Sequence, residues 1–214
     1  MPSVDKYLTV RGHSFRYFTE KSKNNNKGIC VLFFHGFSFS LDDWKKTGTT
    51  ERIVDAGYSA LAMDLPSGRA SKSDKISYHK VSECIPIIDE FLEKANFFSP
   101  EKKAVIIGPS MGGGFALEYA MMFPQKVEGL VLVSPSLKSI DEERLEVELS
   151  KIPVMLVWGD RDNVFPLEEC GRPLKEKLAR SKLLVIKGAG HAAYLDKPEE
   201  FNDLLYDFLD ELSS

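Results

Sequence analysis

The spacing of hydrophobic and polar positions changes period repeatedly along the chain. Short, dense apolar runs at Ile29–Phe34, Tyr58–Met63, Ala104–Ile107 and Leu130–Val133 have the near-continuous character of parallel strands buried on both faces. Two more follow at Val154–Trp158 and Leu183–Ile186. Ahead of them, Tyr7–Val10 and Ser14–Phe18, joined at Gly12, read as an antiparallel hairpin. Stretches of helical period lie between the strands. Ser40, with Asp43 three residues on, resembles a capping box before Trp44, and Thr50 opens a turn toward Ile53. Tyr78–Ala95 carries Ile87, Ile88, Phe91 and Leu92 at helical spacing, with Pro86 either starting its main body or kinking it. Ser110–Phe123 is apolar on nearly every side, which predicts a helix at the centre of the molecule. Pro198–Leu212 interleaves Phe201, Leu204, Leu205, Phe208 and Leu212 with acids, the pattern of a surface helix with one face down. This alternation predicts an α/β fold, an eight-stranded, mostly parallel sheet flanked by helices. The polar stretch Lys21–Lys27 reads as a loop.

Composition sharpens that picture. A chain of 214 residues allows one large domain or two small ones, and eight strands in one sheet favour a single domain over residues 1–214. A domain of this size buries roughly 70% of its unfolded surface. The 28 basic and 32 acidic side chains leave a net charge of -4, with no basic footprint for nucleic acid or an anionic membrane. The expected partner is therefore a small molecule, such as an ester or acyl substrate, or another protein. No apolar run approaches the ~20 residues of a membrane span. Residues Met1–Gly12 lack the apolar core of a secretory signal. Cys30, Cys84 and Cys170 have no metal-ligand spacing, and an odd count of thiols suits a reducing compartment. The expectation is a cytoplasmic protein without metal or cofactor.

The chemistry concentrates where Ala104–Ile107 runs into Gly108-Pro109-Ser110-Met111-Gly112-Gly113-Gly114 and then into the central helix. Strand, sharp turn and helix form the context that gives a G-x-S-x-G pattern its meaning. A Gly-rich helix start that binds phosphate is the alternative reading of these residues. A serine nucleophile needs a base, and the base needs an acid to orient it. Gly159-Asp160-Arg161-Asp162 follows one late strand, and Lys187-Gly188-Ala189-Gly190-His191 follows the last. All three loops leave the sheet at the edge where open α/β sheets bind ligands. Of the four histidines, His13 and His79 sit in bland positions. His35 more plausibly shapes its loop, and His191 is the candidate base. Asp160 and Asp162 both contend for the acid; Asp162 is favoured because a longer reach from Gly159 lets its carboxylate turn back toward the histidine, while Asp160 bonds its own turn. An oxyanion would need two fixed N–H donors, for which Met111 and Phe37, in His35-Gly36-Phe37-Ser38-Phe39, are the candidates. Phe37, Phe39, Leu137, Val164, Phe165 and Tyr194 are the expected apolar lining.

Taken together, these blocks resemble the α/β-hydrolase superfamily from Tyr7 to Leu212, and within it the small members of the abhydrolase domain-containing protein 14 type. Asp64-Leu65-Pro66-Ser67-Gly68-Arg69-Ala70-Ser71 and the run from His191 to Phe201 carry the resemblance as much as the serine turn does. One departure is Ser67-Gly68-Arg69-Ala70, where relatives usually have a second glycine; it touches loop shape. The resemblance implies an esterase-like or deacylase-like enzyme in which Ser110, Asp162 and His191 are nucleophile, acid and base, and Phe37 and Met111 form the oxyanion hole. Serine at the turn implies acyl transfer through an acyl-enzyme, with ester or thioester hydrolysis the default. The segment Ser134–Ile152 has room for one acidic helix, with Ile140, Leu145 and Leu149 inward, and no room for a cap domain.

Overall fold

The computed structural model describes residues 4–22, 29–77, 79–97, 103–138 and 140–213. Its strands are β1 (Lys6–Val10), β2 (His13–Glu20), β3 (Cys30–Phe33), β4 (Ser59–Met63), β5 (Ala104–Pro109), β6 (Val127–Val133), β7 (Val154–Gly159) and β8 (Ser181–Ile186). They form one sheet in the order β1-β2-β4-β3-β5-β6-β7-β8. The hairpin β1–β2 and the pairing β2–β4 are antiparallel, and the remaining pairings are parallel. The expected eight-stranded, mostly parallel α/β sheet is therefore present. Most of the loop expected at Lys21–Lys27 lies outside the described residues.

Two cores explain why the central strands have no polar face. Along β5, Ala104 and Ile106 pack into one core while Val105 and Ile107 pack into the other, and β6 divides Leu130 and Leu132 from Val131 and Val133 in the same way. The first core is covered by α3 (Ile85–Lys94), α4 (Met111–Met122), α5 (Glu142–Glu148) and α6 (Arg172–Lys177). The second is covered by α1 (Asp42–Lys46), α2 (Thr49–Asp55), α7 (Ala193–Asp196) and α8 (Pro198–Ser213). Truncating a residue such as Ile106, which is fully buried, to alanine would cost about 2–5 kcal/mol.

Local chemistry sets the helix starts. The backbone N–H of Ser40 donates to Asp43 Oδ2 at 3.0 Å, and its hydroxyl accepts from the Asp42 N–H at 3.3 Å. The expected capping box is only half formed, because the Asp43 N–H donates to the Ser40 carbonyl and not to its hydroxyl; Trp44 is fully buried, and its Nε1 donates to the Phe34 carbonyl at 3.0 Å. The helix expected over Tyr78–Ala95 is shorter. Val81–Glu83 forms a 3-10 turn, α3 starts at Ile85 with Pro86 in its first turn, and Tyr78 lies outside the described residues. Proline has no N–H to give an upstream carbonyl, so it opens the helix here. The single acidic helix expected between β6 and β7 is α5, with Ile140, Leu145 and Leu149 buried. Helices α6 and α7 and the π-turn Leu167–Gly171 have no counterpart in the sequence reading.

Candidate active site

Ser110 lies between the end of β5 and the start of α4, with φ 49° and ψ -117°. A non-glycine residue in this region carries strain of order 1–3 kcal/mol and persists only when its surroundings hold it there. They do so from both sides. The Ser110 N–H donates to the Val133 carbonyl at 2.9 Å, and its carbonyl accepts from the N–H groups of Gly113 at 3.0 Å and Ser136 at 2.9 Å. The turn closes so tightly that a Cβ on Gly108 would overlap the Gly112 carbonyl. The end of β6 thus anchors the turn that presents the Ser110 side chain.

The loops after β7 and β8 are zipped together. Arg161 N–H donates to the Ala189 carbonyl at 2.9 Å, and a Cβ on Gly159 would overlap the carbonyls of Ala189 and Gly190. This approach brings His191 Nδ1 to 2.9 Å from Asp162 Oδ2. The other oxygen, Asp162 Oδ1, accepts from the Val164 and Phe165 N–H groups, each at 2.9 Å. Burial works to raise the Asp162 pKa; the Phe165 N–H, the His191 ring and the Val164 N–H outweigh it and hold the carboxyl below its usual range. An ionised Asp162 makes His191 Nδ1 the donor, which leaves Nε2 as the nitrogen able to accept a proton. The Phe165 ring packs edge-on to the imidazole, with centroids 5.1 Å apart. Asp160 has different work: its Oδ1 accepts from the Gly188 N–H at 2.7 Å. Among the described residues no hydrogen bond joins the Ser110 hydroxyl to His191.

His35 is fully buried. Its Nε2 accepts from the Leu65 N–H at 2.8 Å, which makes Nδ1 the donor to the Gly36 carbonyl, also at 2.8 Å. Both ring nitrogens are committed, so this side chain shapes the loop as expected. The loop after β4 completes the arrangement. Gly68 packs against the His35 ring, the Arg69 N–H donates to the Phe37 carbonyl at 2.6 Å, and the Ser67 hydroxyl meets Met111 Sδ at 3.4 Å. The segment that departs from the family pattern therefore braces both candidate oxyanion residues. Neither the Phe37 N–H nor the Met111 N–H donates to an acceptor among the described residues.

The expected lining separates. Phe37 and Val164 are exposed, and Phe39, Leu137 and Phe165 are half-buried. Tyr194 is a correction: it is 1% exposed and packs against Trp44 with centroids 4.6 Å apart and edge-on to Phe201 at 6.1 Å. It belongs to the core under α7. A residue not singled out in the sequence, Ser134, lies just past the end of β6, where its N–H donates to the Val157 carbonyl at 3.0 Å; the sequence signal that could have found it is its place at a strand end on the same edge as Ser110. A cleft of about 370 Å³ lies at the opposite edge, between α8 and the starts of β7 and β8, lined by residues such as Pro153, Arg180 and Phe208. It contains none of the expected site residues. Among the described residues no group of three or more His, Cys, Asp or Glu is placed to hold a metal ion, and no helix is long and apolar enough to cross a membrane.

A sheet of this order, with a strained serine between β5 and α4 and a carboxylate–imidazole pair after β7 and β8, defines an α/β-hydrolase, and the chain belongs to that family. A family model described as serine aminopeptidase, S33 matches residues 25–147, and one described as TAP-like protein matches residues 135–213. The chain is 32% identical over 212 residues to the Rattus norvegicus protein named "Putative protein-lysine deacylase ABHD14B", covering 96% of this chain and 95% of that one. It is 32% identical over 208 residues to the Homo sapiens protein of the same name, covering 96% and 94%. The crystal structure of a predicted CIB-like hydrolase from Thermoplasma acidophilum superposes with a TM-score of 0.83 at 28% identity, over 99% of each chain. The resemblance to the abhydrolase 14 type is borne out, and the protein is a hydrolase.

Proposed function

We propose that the protein is a serine hydrolase that cleaves small, short-acyl carboxylic esters through an acyl-enzyme. The observation that carries this reading is the 2.9 Å contact between His191 Nδ1 and Asp162 Oδ2, formed at the same sheet edge as the strained Ser110. In the proposed reaction, Ser110 Oγ attacks the ester carbonyl while His191 Nε2 takes its proton. Asp162 holds the imidazole in the required tautomer and balances the charge it acquires. The Phe37 and Met111 N–H groups receive the developing oxyanion, and losing either costs on the order of 3 kcal/mol in the barrier. The imidazolium then protonates the leaving alkoxide. Water, deprotonated by His191, attacks the acyl-enzyme and releases the carboxylic acid and free Ser110. Hydrogen bonds of this kind are often open in unliganded enzymes and tighten around substrate, so an unjoined Ser110 and His191 are compatible with the mechanism. The test is turnover of a chromogenic acetate ester by Ser110→Ala and His191→Ala. Both should lose essentially all activity, and wild-type turnover in either would overturn the mechanism.

A second reading uses the same groups on an amide. It is favoured by the name of the relatives at 32% identity, protein-lysine deacylase, and by the half-exposed Phe39, Leu137 and Phe165, which leave room for a protein-borne acyl-lysine. Release of acetate from an acetyl-lysine peptide at a rate comparable to ester turnover would support it. Turnover of the ester alone would leave esterase action as the activity.

A further inference from the structure

Arg16 on β2 and Asp64 after β4 form an ion pair almost out of water: Nη1 lies 3.3 Å from Oδ2, the guanidinium side chain is 2% exposed and the carboxylate fully buried. Desolvation largely offsets the attraction of charges this deep, and a well-packed apolar pair would hold a fold as well. An apolar pair could not accept backbone hydrogen bonds from two loops at once. Asp64 does. Its Oδ1 accepts from the Leu41 N–H at 2.8 Å and its Oδ2 from the Lys72 N–H at 2.7 Å. Arg16 adds a bidentate hold on Asp42, at 2.6 and 2.9 Å. One buried pair thus fixes the far ends of the loops after β3 and β4. The first of these loops carries Phe37, whose side chain is exposed, as is that of Ser38. Packing therefore does not hold the Phe37 backbone; hydrogen bonds do. The Gly36 carbonyl accepts from His35 Nδ1 at 2.8 Å and from the Phe39 N–H at 3.1 Å, so the Phe37 N–H across that peptide points the other way. The Phe37 carbonyl accepts from the Arg69 N–H at 2.6 Å, within the loop that Asp64 closes. The same loop lies against the Ser110 turn, since a Cβ on Gly112 would stand 2.8 Å from the His35 carbonyl.

We propose that Asp64, paired with Arg16, is a positioning residue for the oxyanion hole: it pins Leu41 and Lys72, so that the Arg69 N–H holds Phe37 with its own N–H free for the oxyanion. The role rests on the serine-hydrolase reading above. It also gives work to Ser67-Gly68-Arg69-Ala70, the segment that departs from the family pattern: at Arg69 the contribution to the site is a backbone donor, and the side chain is exposed. A donor aimed at a developing charge acts only when it is already in place, and a displacement of about 1 Å costs up to ~100-fold in rate. Replacing the carboxylate with an amide makes the strain specific. In Asp64→Asn the side-chain oxygen keeps one backbone N–H, while the NH2 group faces the other loop's N–H or Arg16, donor against donor.

The test compares Asp64→Asn with wild type, and Arg69→Pro with Arg69→Ala, which keeps the N–H that proline removes. Ser110→Ala is the control. Active sites are counted by fluorophosphonate labelling, and kcat/KM for a chromogenic acetate ester is expressed per active site. The inhibition constant of a trifluoromethyl ketone is measured alongside: Ser110 Oγ adds to its carbonyl carbon, the serine proton passes to His191, and the oxygen left negative occupies the oxyanion hole. Poor folding lowers the number of active sites, whereas a misplaced donor lowers the rate of each site and its affinity for the ketone adduct. The expected result, in Asp64→Asn and in Arg69→Pro alike, is a loss of roughly ten- to a hundredfold in per-site kcat/KM, with the ketone constant rising by a similar factor. The Arg69 pair alters an exposed position and carries the test if Asp64→Asn does not fold. Per-site kcat/KM and ketone constants left unchanged, with Ser110→Ala inert, would overturn the positioning role alone. Turnover by Ser110→Ala would overturn the reading beneath it.

Discussion

His35 and His191 each follow a parallel strand at the same edge of the sheet, yet they are built for opposite ends. His35 is fully buried, and both ring nitrogens are spent on backbone groups, the Leu65 N–H and the Gly36 carbonyl. His191 is 22% exposed at its side chain and spends one nitrogen on Asp162. Two filled nitrogens make a brace; one filled and one open leave a nitrogen free to accept a proton. The carboxylates beside them differ in the same way. Asp64 is saturated by Arg16, by the Leu41 N–H and by the Lys72 N–H, whereas Asp162 is tied to an imidazole whose far side is open.

The sharpest way to break this contrast is to remove each ring. His191→Ala should lower kcat by about 10⁴-fold or more, with a thermal midpoint close to wild type. His35→Ala should cost about 3 kcal/mol of stability by stranding the Leu65 N–H and the Gly36 carbonyl, measured by urea unfolding. If His35→Ala left stability intact, the brace assignment would be wrong. The two aspartates give the next largest effect. Asp162→Asn should reduce kcat by about 10⁴-fold, as in other enzymes where the orienting acid is neutralised, while Asp160→Asn should stay within a few-fold of wild type. The reverse order in ester assays would exchange their roles.

Much of this was legible locally. The apolar runs at β3, β5, β6 and β7 announce strands because each places its odd and even side chains in different cores, a pattern that needs no knowledge of partners. The serine turn and the histidine loop were legible for the same reason, since glycine spacing reports a tight turn directly. Tyr194 was misread because its surroundings, Trp44 and Phe201, are assembled by α1 and α8 packing from opposite ends of the chain. Ser134 was missed because its distinction is a backbone φ of 42° and a neighbour across the sheet, neither of which leaves a pattern in the residues around it. Helix α3 was drawn too long because Val81 and Cys84 continue the apolar period while Pro86 determines where the helix begins.

A smaller effect follows from pH. Burial holds the His35 pKa below its ordinary value, against upward pulls from the Gly36 carbonyl and the charges of Asp64 and Asp43 and alongside a downward one from Lys75. The unfolded chain takes up a proton near pH ~6.5 that the folded ring resists. The stability His35 contributes is therefore complete above that pH and is lost as pH falls through the depressed folded value. Urea midpoints measured downward from pH 7 should fall for wild type and fall less steeply for His35→Gln; parallel slopes would contradict the assignment. The mildest test extends the rule of buried and open groups to the thiols. Burial, with Glu83 adding to it, pushes the Cys84 thiol up to about 12, and Cys170 is half-buried. Alkylation of the folded protein followed by peptide mapping should therefore modify Cys170 well before Cys84.

The central claim is that Ser110 is a nucleophile activated by His191. The most direct measurement is mass-spectrometric mapping of a fluorophosphonate adduct on the intact protein. The account predicts a single adduct on Ser110, abolished in Ser110→Ala and slowed by orders of magnitude in His191→Ala. An adduct on another residue, or labelling of Ser110 at an undiminished rate without His191, would contradict it.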